Sequence, residues 1–99
     1  MTPIVIPTPS LPNQCTVACR WVSSGQGVPG ANFIYTVLDA PAGSGTGIGD
    51  PPVVAVTNFD GFAYAVLYQN AVYNVETPSG NSFRYTVPAT STALLTNAI

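Results

Sequence analysis

Apolar and polar residues alternate along most of the chain, and the pattern is clearest in residues 71–87, AVYNVETPSGNSFRYTV. The larger side chains fall on one face of each half: Tyr73, Val75 and Thr77 before the turn, and Phe83, Tyr85 and Val87 after it. Between the halves, Pro78-Ser79-Gly80-Asn81 favours a chain reversal, and Gly80 is free to adopt a positive φ. A period of two on both sides of a glycine-containing turn predicts a β-hairpin.

The same pattern predicts four strands upstream of this hairpin, at residues 15–22, 32–38, 53–57 and 62–67. In the first strand one face is expected to point into the core, and it carries Cys15, Val17, Cys19 and Trp21. Asp60-Gly61 is the strongest short hairpin signal in the chain and lies between the third and fourth strands. Residues 40–52, APAGSGTGIGDPP, predict an irregular surface loop because glycine and proline interrupt regular structure.

The first fourteen residues differ from the rest because prolines recur at Pro3, Pro7, Pro9 and Pro12. This spacing forbids a helix and favours an extended arm. Two interpretations stay open, a frayed terminus and an arm that packs on a neighbouring subunit. The second would use the apolar residues of the arm, Ile4, Val5, Ile6 and Leu11. The predicted organisation is an arm at 1–14, a β-sandwich domain at 15–88 and a C-terminal tail at 89–99.

The last eleven residues, ATSTALLTNAI, change period. Leu94, Leu95 and Ile99 fall on one side of a short predicted helix, for which Thr90 or Ser91 would be the N-cap. Such a segment either packs on the domain as a last turn or docks elsewhere, and its three apolar residues complete the predicted partner-binding set.

The composition narrows the function. The chain has 99 residues, enough for one domain, and only 6% of them are charged, against an average of about 25%. With two arginines, no lysine and a net charge of −2, it cannot neutralise phosphates, which argues against nucleic acid and against anionic membranes as partners. The first residues lack the basic region of a targeting signal. So few charges protect a surface poorly against association, which suggests coverage by other subunits.

Candidate chemistry is sparse. Cys15 and Cys19 would be about 13 Å apart on a strand, whereas a disulfide needs Cα atoms within about 7 Å, so free thiols are predicted unless the segment bends sharply. No histidine or third cysteine completes a metal site. Nucleophilic catalysis lacks a base, and Asp39, Asp50, Asp60 and Glu76 are interpreted as surface carboxylates rather than a catalytic pair or a calcium site. The glycines of 40–52 lack the lysine of a phosphate loop. We therefore expect no enzyme activity, no cofactor and no metal.

Three landmarks occur in order: Val28-Pro29-Gly30-Ala31, then TNFDGFAY at 57–64, then Tyr73-Asn74-Val75. This order resembles the carboxypeptidase regulatory-like domains, whose fold is also called transthyretin- or prealbumin-like, over about residues 15–88. The resemblance implies a seven-stranded sandwich, with the seventh strand in 40–52 or in the arm. The resulting prediction is a single all-β immunoglobulin/transthyretin-like β-sandwich of six to seven antiparallel strands, with an extended Pro-rich N-terminal arm.

Residues 82–95, SFRYTVPATSTALL, are similar to the closing segment of small accessory domains in structural proteins of tailed bacteriophages. That resemblance implies a virion protein, and the expected function is a capsid decoration (cement) protein on the capsid surface. Its expected partners are the major capsid protein or other virion subunits, and it is expected to be a homo-oligomer, with a trimer favoured.

Two alternatives remain. One is a tail-fibre or baseplate adhesin that stacks host carbohydrate on exposed aromatic rings, for which the candidates are Trp21, Tyr35, Tyr64, Tyr68, Tyr73 and Tyr85. Exposure of three or more of these rings in one patch would favour it. The other alternative is a spacer domain of a bacterial surface protein.

Overall fold

The structure is a computed structural model that describes residues 13–41, 46–47 and 49–95. The described part is all-β. Its strands are β1 (Gln14–Arg20), β2 (Val22–Ser23), β3 (Gln26–Gly27), β4 (Asn32–Asp39), β5 (Val53–Val56), β6 (Phe62–Tyr68), β7 (Val72–Glu76), β8 (Ser82–Thr86) and β9 (Thr92–Leu94). Residues 1–12 of the predicted arm and 96–99 of the predicted tail fall outside these residues. Gln14, the last residue of the predicted arm, is instead the first residue of β1.

Two larger sheets share one core. The first has the strand order β6-β1-β9 and the second has the order β5-β4-β7-β8, while β2 and β3 form a small hairpin of their own. Inward side chains of both sheets belong to a single buried cluster that includes Val17 and Leu67 from the first sheet and Phe33 and Val75 from the second. This arrangement is consistent with a β-sandwich.

The hairpin predicted at 71–87 is confirmed. Val75 pairs with Phe83 and Glu76 with Ser82 in antiparallel register. The turn is closed by hydrogen bonds from Thr77 N to Asn81 O at 2.8 Å and from Gly80 N to Thr77 O at 3.0 Å. Gly80 has a φ of 91°, the conformation for which a glycine was predicted there.

The predicted core face of the first strand is also confirmed. Cys15, Val17 and Cys19 are fully buried, and the half-buried Trp21 packs edge-to-face on Phe33 with ring centroids 5.9 Å apart. Both cysteines are free thiols, as predicted. Because β1 is the central strand of its sheet, Thr16 and Ala18 on its other face are buried as well.

The hairpin expected at Asp60-Gly61 is wrong, although the turn is present. Strands β5 and β6 lie in different sheets, so residues 57–61 connect the two layers of the domain. The side-chain oxygen of Asn58 accepts hydrogen bonds from the backbone N–H of Asp60 at 2.9 Å and of Phe62 at 3.1 Å. These local bonds hold the reversal without any ladder between the flanking strands.

The short helix expected in the tail is wrong for residues 92–94, which form β9. This strand pairs with β1 in parallel, Thr16 with Thr92 and Ala18 with Leu94, and the N–H of Leu95 then donates to Ala18 O at 2.7 Å. Strand β9 adds a seventh strand to the six predicted ones, at a place other than 40–52 or the arm. Its parallel pairing differs from the expected all-antiparallel pairing. Strand β1 pairs with β6 on one side only, so its other side offers backbone hydrogen bonds to β9. A helix of only about two turns is marginal by itself, and these hydrogen bonds favour the strand instead.

A threonine hydroxyl joins two of the sequence landmarks. Thr57 Oγ donates to Val28 O at 2.6 Å and accepts from Ala31 N at 2.8 Å, and Thr57 N donates to Ala31 O at 2.9 Å. Gly30, with a φ of 76°, donates its N–H to Thr57 O at 3.0 Å. The VPGA segment and the threonine that begins TNFDGFAY are therefore two sides of one hydrogen-bonded unit.

Candidate protein-binding surface

The outer face of the β6-β1-β9 sheet is mainly apolar, and we call it the β1 face. It is formed by Phe62, Tyr64 and Val66 from β6, Thr16, Ala18 and Arg20 from β1, and Thr92 and Leu94 from β9. Strand register sets two rows across it, Val66–Thr16–Thr92 and Tyr64–Ala18–Leu94. The central residue of each row, Thr16 or Ala18, has a short side chain. The second row has the longer side chains of Tyr64 and Leu94 on its two sides.

Exposure is concentrated at the borders of the β1 face. Leu94 is 53% exposed and Val66 is 45% exposed, although both are large apolar side chains. Between them, Thr16 is buried, and its hydroxyl has no hydrogen-bond partner among the described residues. Exposed apolar side chains therefore lie on both sides of the buried Thr16 and Ala18, which makes this face a candidate for binding another protein.

One end of the β1 face carries its single charge. The Arg20 guanidinium lies over the Phe62 ring, with its central carbon 5.2 Å from the ring centroid. The Arg20 Nε–H also donates to Asp60 O at 3.3 Å. Arg20 thus covers Phe62 and leaves the exposed apolar area around Val66 and Leu94 free of charge.

The predicted partner-binding residues separate into three groups. Leu94 lies on the β1 face with its side chain exposed. Leu95, in contrast, is only 4% exposed and packs in the core, because alternation along β9 turns adjacent residues to opposite sides. Its side chain is not available to a partner in this structure. The remaining residues of the set lie outside the described part: Ile4, Val5, Ile6, Leu11 and Ile99.

Several exposed apolar residues were not predicted as contact residues. Val66 could have been found from alternation, because Ala63 and Ala65 take the core positions of β6. Phe59 is 92% exposed at the tip of the turn between β5 and β6. The turn that carries Phe59 is held by the two hydrogen bonds to the Asn58 side-chain oxygen.

The aromatic rings do not form an exposed platform. Tyr35 and Tyr73 are buried in the core, and the other four candidates, Trp21, Tyr64, Tyr68 and Tyr85, are only partly exposed. The Tyr35 hydroxyl lies 3.6 Å from the Cys19 sulfur, and the Tyr73 hydroxyl accepts the Tyr68 N–H at 3.2 Å. These rings pack the domain, so the feature that would favour a sugar-binding adhesin is not found in the described residues.

Burial also controls the ionisable groups of the core. It raises the pKa of the Cys19 thiol, and the hydrogen bonds that the thiol makes with the Tyr35 hydroxyl and the Ala63 backbone partly offset this rise. It raises the pKa of Tyr35 as well, and the nearby Cys19 adds to the effect. The pKa of the Cys15 thiol is likewise raised by burial. Neutral buried thiols are poor nucleophiles, so these cysteines contribute packing rather than reactivity.

The acidic residues are divided between the two ends of the domain. Asp60 and Glu76 lie at the end where β1 finishes, and Asp39 and Asp50 lie at the other end. The Asp50 carboxylate accepts hydrogen bonds from Thr46 Oγ at 2.8 Å and from Gly47 N at 3.0 Å, which fixes the local loop. Among the described residues, no three histidine, cysteine or acidic side chains are grouped as a metal site would require.

Comparison with known proteins gives no family. No protein-family model matches the chain, and a search of curated proteins found no match. Within residues 13–41, 46–47 and 49–95, no helix has the length and hydropathy needed to cross a membrane.

Proposed function

We propose that this chain is a structural accessory protein of a bacteriophage virion, most concretely a decoration protein on the capsid surface. The observation that carries the proposal is the β1 face, on which Val66 and Leu94 are 45% and 53% exposed. A rigid domain with an apolar face fits a role in which the protein is covered by other subunits and does no chemistry.

Composition and resemblance support the same proposal. Only 6% of the residues are charged, so little of the surface resists association. The resemblance of residues 82–95 to accessory domains of tailed phages points to the virion. In the structure these residues form β8, the connection to β9, and β9 itself, which contributes Leu94 to the β1 face. The segment that carries the phage resemblance is therefore also part of the proposed contact.

We propose the transthyretin-like, carboxypeptidase regulatory-like domain as the particular fold. The hydrogen bonds of Thr57 to Val28 and Ala31 support this proposal, because they give a structural role to landmarks that carry the resemblance. The Pro-rich arm at 1–14 belongs to the proposal as well.

The proposed mechanism is cementing by apolar contact. The β1 face would lie on a major capsid subunit, and the apolar residues of the arm, with Ile99, would contact an adjacent subunit. Each apolar area removed from water contributes about 25 cal/mol per Å². Because the domain and the arm belong to one chain, binding at two points raises the overall affinity beyond that of either contact.

Cosedimentation with undecorated capsids of the encoding phage tests this function. We expect the parent protein to pellet with capsids. The exposed-face variants Val66→Ser and Leu94→Ser should each bind the capsid with a dissociation constant at least about tenfold higher. Ser82→Ala, on the opposite sheet, is the matched control and should bind like the parent. Absence of binding by the parent at saturating concentration would rule out the decoration function. Equal binding by all variants would rule out the β1 face as the contact.

A further inference from the structure

The two edges of the β5-β4-β7-β8 sheet differ in chemistry. The outward side chains of β8 are Ser82, Arg84 and Thr86, which are polar or charged and all exposed. The outward side chains of β5 are Val54 and Val56, which are 53% and 57% exposed. Proteins usually place charges or prolines on edge strands to prevent pairing with another chain. Strand β8 has such a charge, whereas β5 has none within the strand and has only Pro51 and Pro52 just before it.

The backbone of β5 has hydrogen-bonding groups that point away from its sheet. In the described residues β5 pairs with β4 alone, with Val56 opposite Asn32 and Val54 opposite Ile34. The next residue, Thr57, donates its N–H to Ala31 O on the β4 side. Because bonded and non-bonded positions alternate along an antiparallel pair, Val53 and Ala55 bond to β4, while Val54 and Val56 direct N–H and C=O groups to the open edge.

The outward N–H and C=O groups of Val54 and Val56 can pair with the same groups of a second copy in antiparallel orientation. We propose that β5 pairs antiparallel with β5 of a second copy, about a two-fold axis at Ala55. Val54 then lies opposite the partner's Val56 and exchanges two backbone hydrogen bonds with it, and the symmetric pair does the same. The four exposed valines form two cross-strand pairs on one face. The two four-stranded sheets join into one continuous sheet across the dimer.

The other edge of the sheet does not fit this arrangement as well. A two-fold axis at the centre of β8 would place Arg84 directly opposite its own copy, and like charges in that position destabilise a strand pair. Strand β5, of sequence VVAV, has no such conflict. The chain as a whole has a net charge of only −2, so two copies repel each other weakly.

The proposed contact between two β5 strands is short, so the dimer is expected to be weak. Only three residues of β5 in each copy, Val54 to Val56, are paired with β5 of the partner. They bury less area than a permanent interface does, so the dimer is weak in dilute solution and becomes populated as the protein concentration rises. A surface that holds many copies side by side would favour it further. The two-fold pairing differs from the trimer favoured by the sequence, and it rests on β5 rather than on the proposed function. Dimer formation and capsid binding can therefore fail independently.

Mixing two single-cysteine variants tests the register. In the proposed dimer, Cα atoms of residue 54 and the partner's residue 56 are about 5.5 Å apart, within disulfide range, whereas two copies of residue 54 are roughly 9 Å apart. Under mild oxidation we expect a covalent dimer from Val54→Cys mixed with Val56→Cys, and little from either variant alone. The parent, whose own cysteines are buried, is the background control. If the mixture forms no more covalent dimer than either variant alone, the proposed register is wrong.

Sedimentation over a concentration series tests the contact without cross-linking. The mass of the parent should rise from 10.2 kDa towards twice that value. Val54→Lys, which places a charge on the open edge, should raise the dissociation constant at least about tenfold. Thr86→Lys, an exposed substitution on the opposite edge strand, should leave it unchanged. A parent that stays monomeric up to about 1 mM, a limiting mass of three copies, or equal effects of both lysines would overturn the proposal.

Discussion

Two adjacent leucines provide a test of how the C-terminal segment is built. Leu95 is 4% exposed in the shared core, whereas Leu94 is 53% exposed on the β1 face. Replacing a buried leucine by alanine costs about 2–5 kcal/mol, and the lower end is expected here because Leu95 follows a three-residue edge strand whose surroundings can relax. We expect Leu95→Ala to lower the free energy of unfolding by about 2–3 kcal/mol. Leu94→Ala should change it by less than about 0.5 kcal/mol.

Urea unfolding followed by tyrosine and tryptophan fluorescence measures both values. The slope with urea should stay the same for both variants, so the midpoint alone should shift for Leu95→Ala. In thermal unfolding, the same loss should lower the Tm by roughly 8–24 °C for a domain of this size. Equal effects of the two substitutions, or no effect of either, would refute the account of β9 as a strand of the sandwich and would restore the interpretation of 89–99 as a separate tail.

Three other predictions follow from the core and its turns. Thr57→Val keeps the side-chain shape but removes the hydroxyl that bonds Val28 O and Ala31 N, and it should lower the free energy of unfolding by about 1–3 kcal/mol in urea titrations. Gly61→Ala should cost more in the same assay than Gly80→Ala, because both have positive φ but only at Gly61 would a Cβ clash with the backbone of Trp21. Burial raises the pKa of Tyr35 above its usual 10.0, so the contribution of this tyrosine to stability is complete below about pH 10 and is lost as the pH rises further. Tyr35→Phe should therefore flatten the alkaline part of a curve of unfolding free energy against pH. An unchanged curve would contradict this.

Local pattern was sufficient to predict most of the strands. The hairpin at 71–87 and the core face of β1 follow from a period of two, because alternation decides which side chains meet the core. The free thiols follow from strand geometry alone, since four residues of extended chain separate Cys15 and Cys19 too far for a bridge. These features depend on neighbours in sequence and were accessible without a structure.

Pairing between distant segments was not accessible in the same way. Asp60-Gly61 has the composition of a hairpin turn, but whether the flanking strands pair or separate into two layers depends on the packing of both sheets. Likewise, β9 becomes a strand because the edge of β1 is available to it, which nothing within 89–99 indicates. The pairing of β9 also separates Leu94 from Leu95, because it places Leu94 on the β1 face in one row with Ala18 and Tyr64 and turns Leu95 into the core.

A cryo-electron microscopy map of undecorated capsids incubated with the protein tests the proposed function most directly. The account predicts added density at symmetry-related positions on the shell, with the β6-β1-β9 sheet against the capsid and Val66 and Leu94 within the contact. A shell without added density at saturating protein, or bound domains that turn this sheet towards solvent, would contradict it.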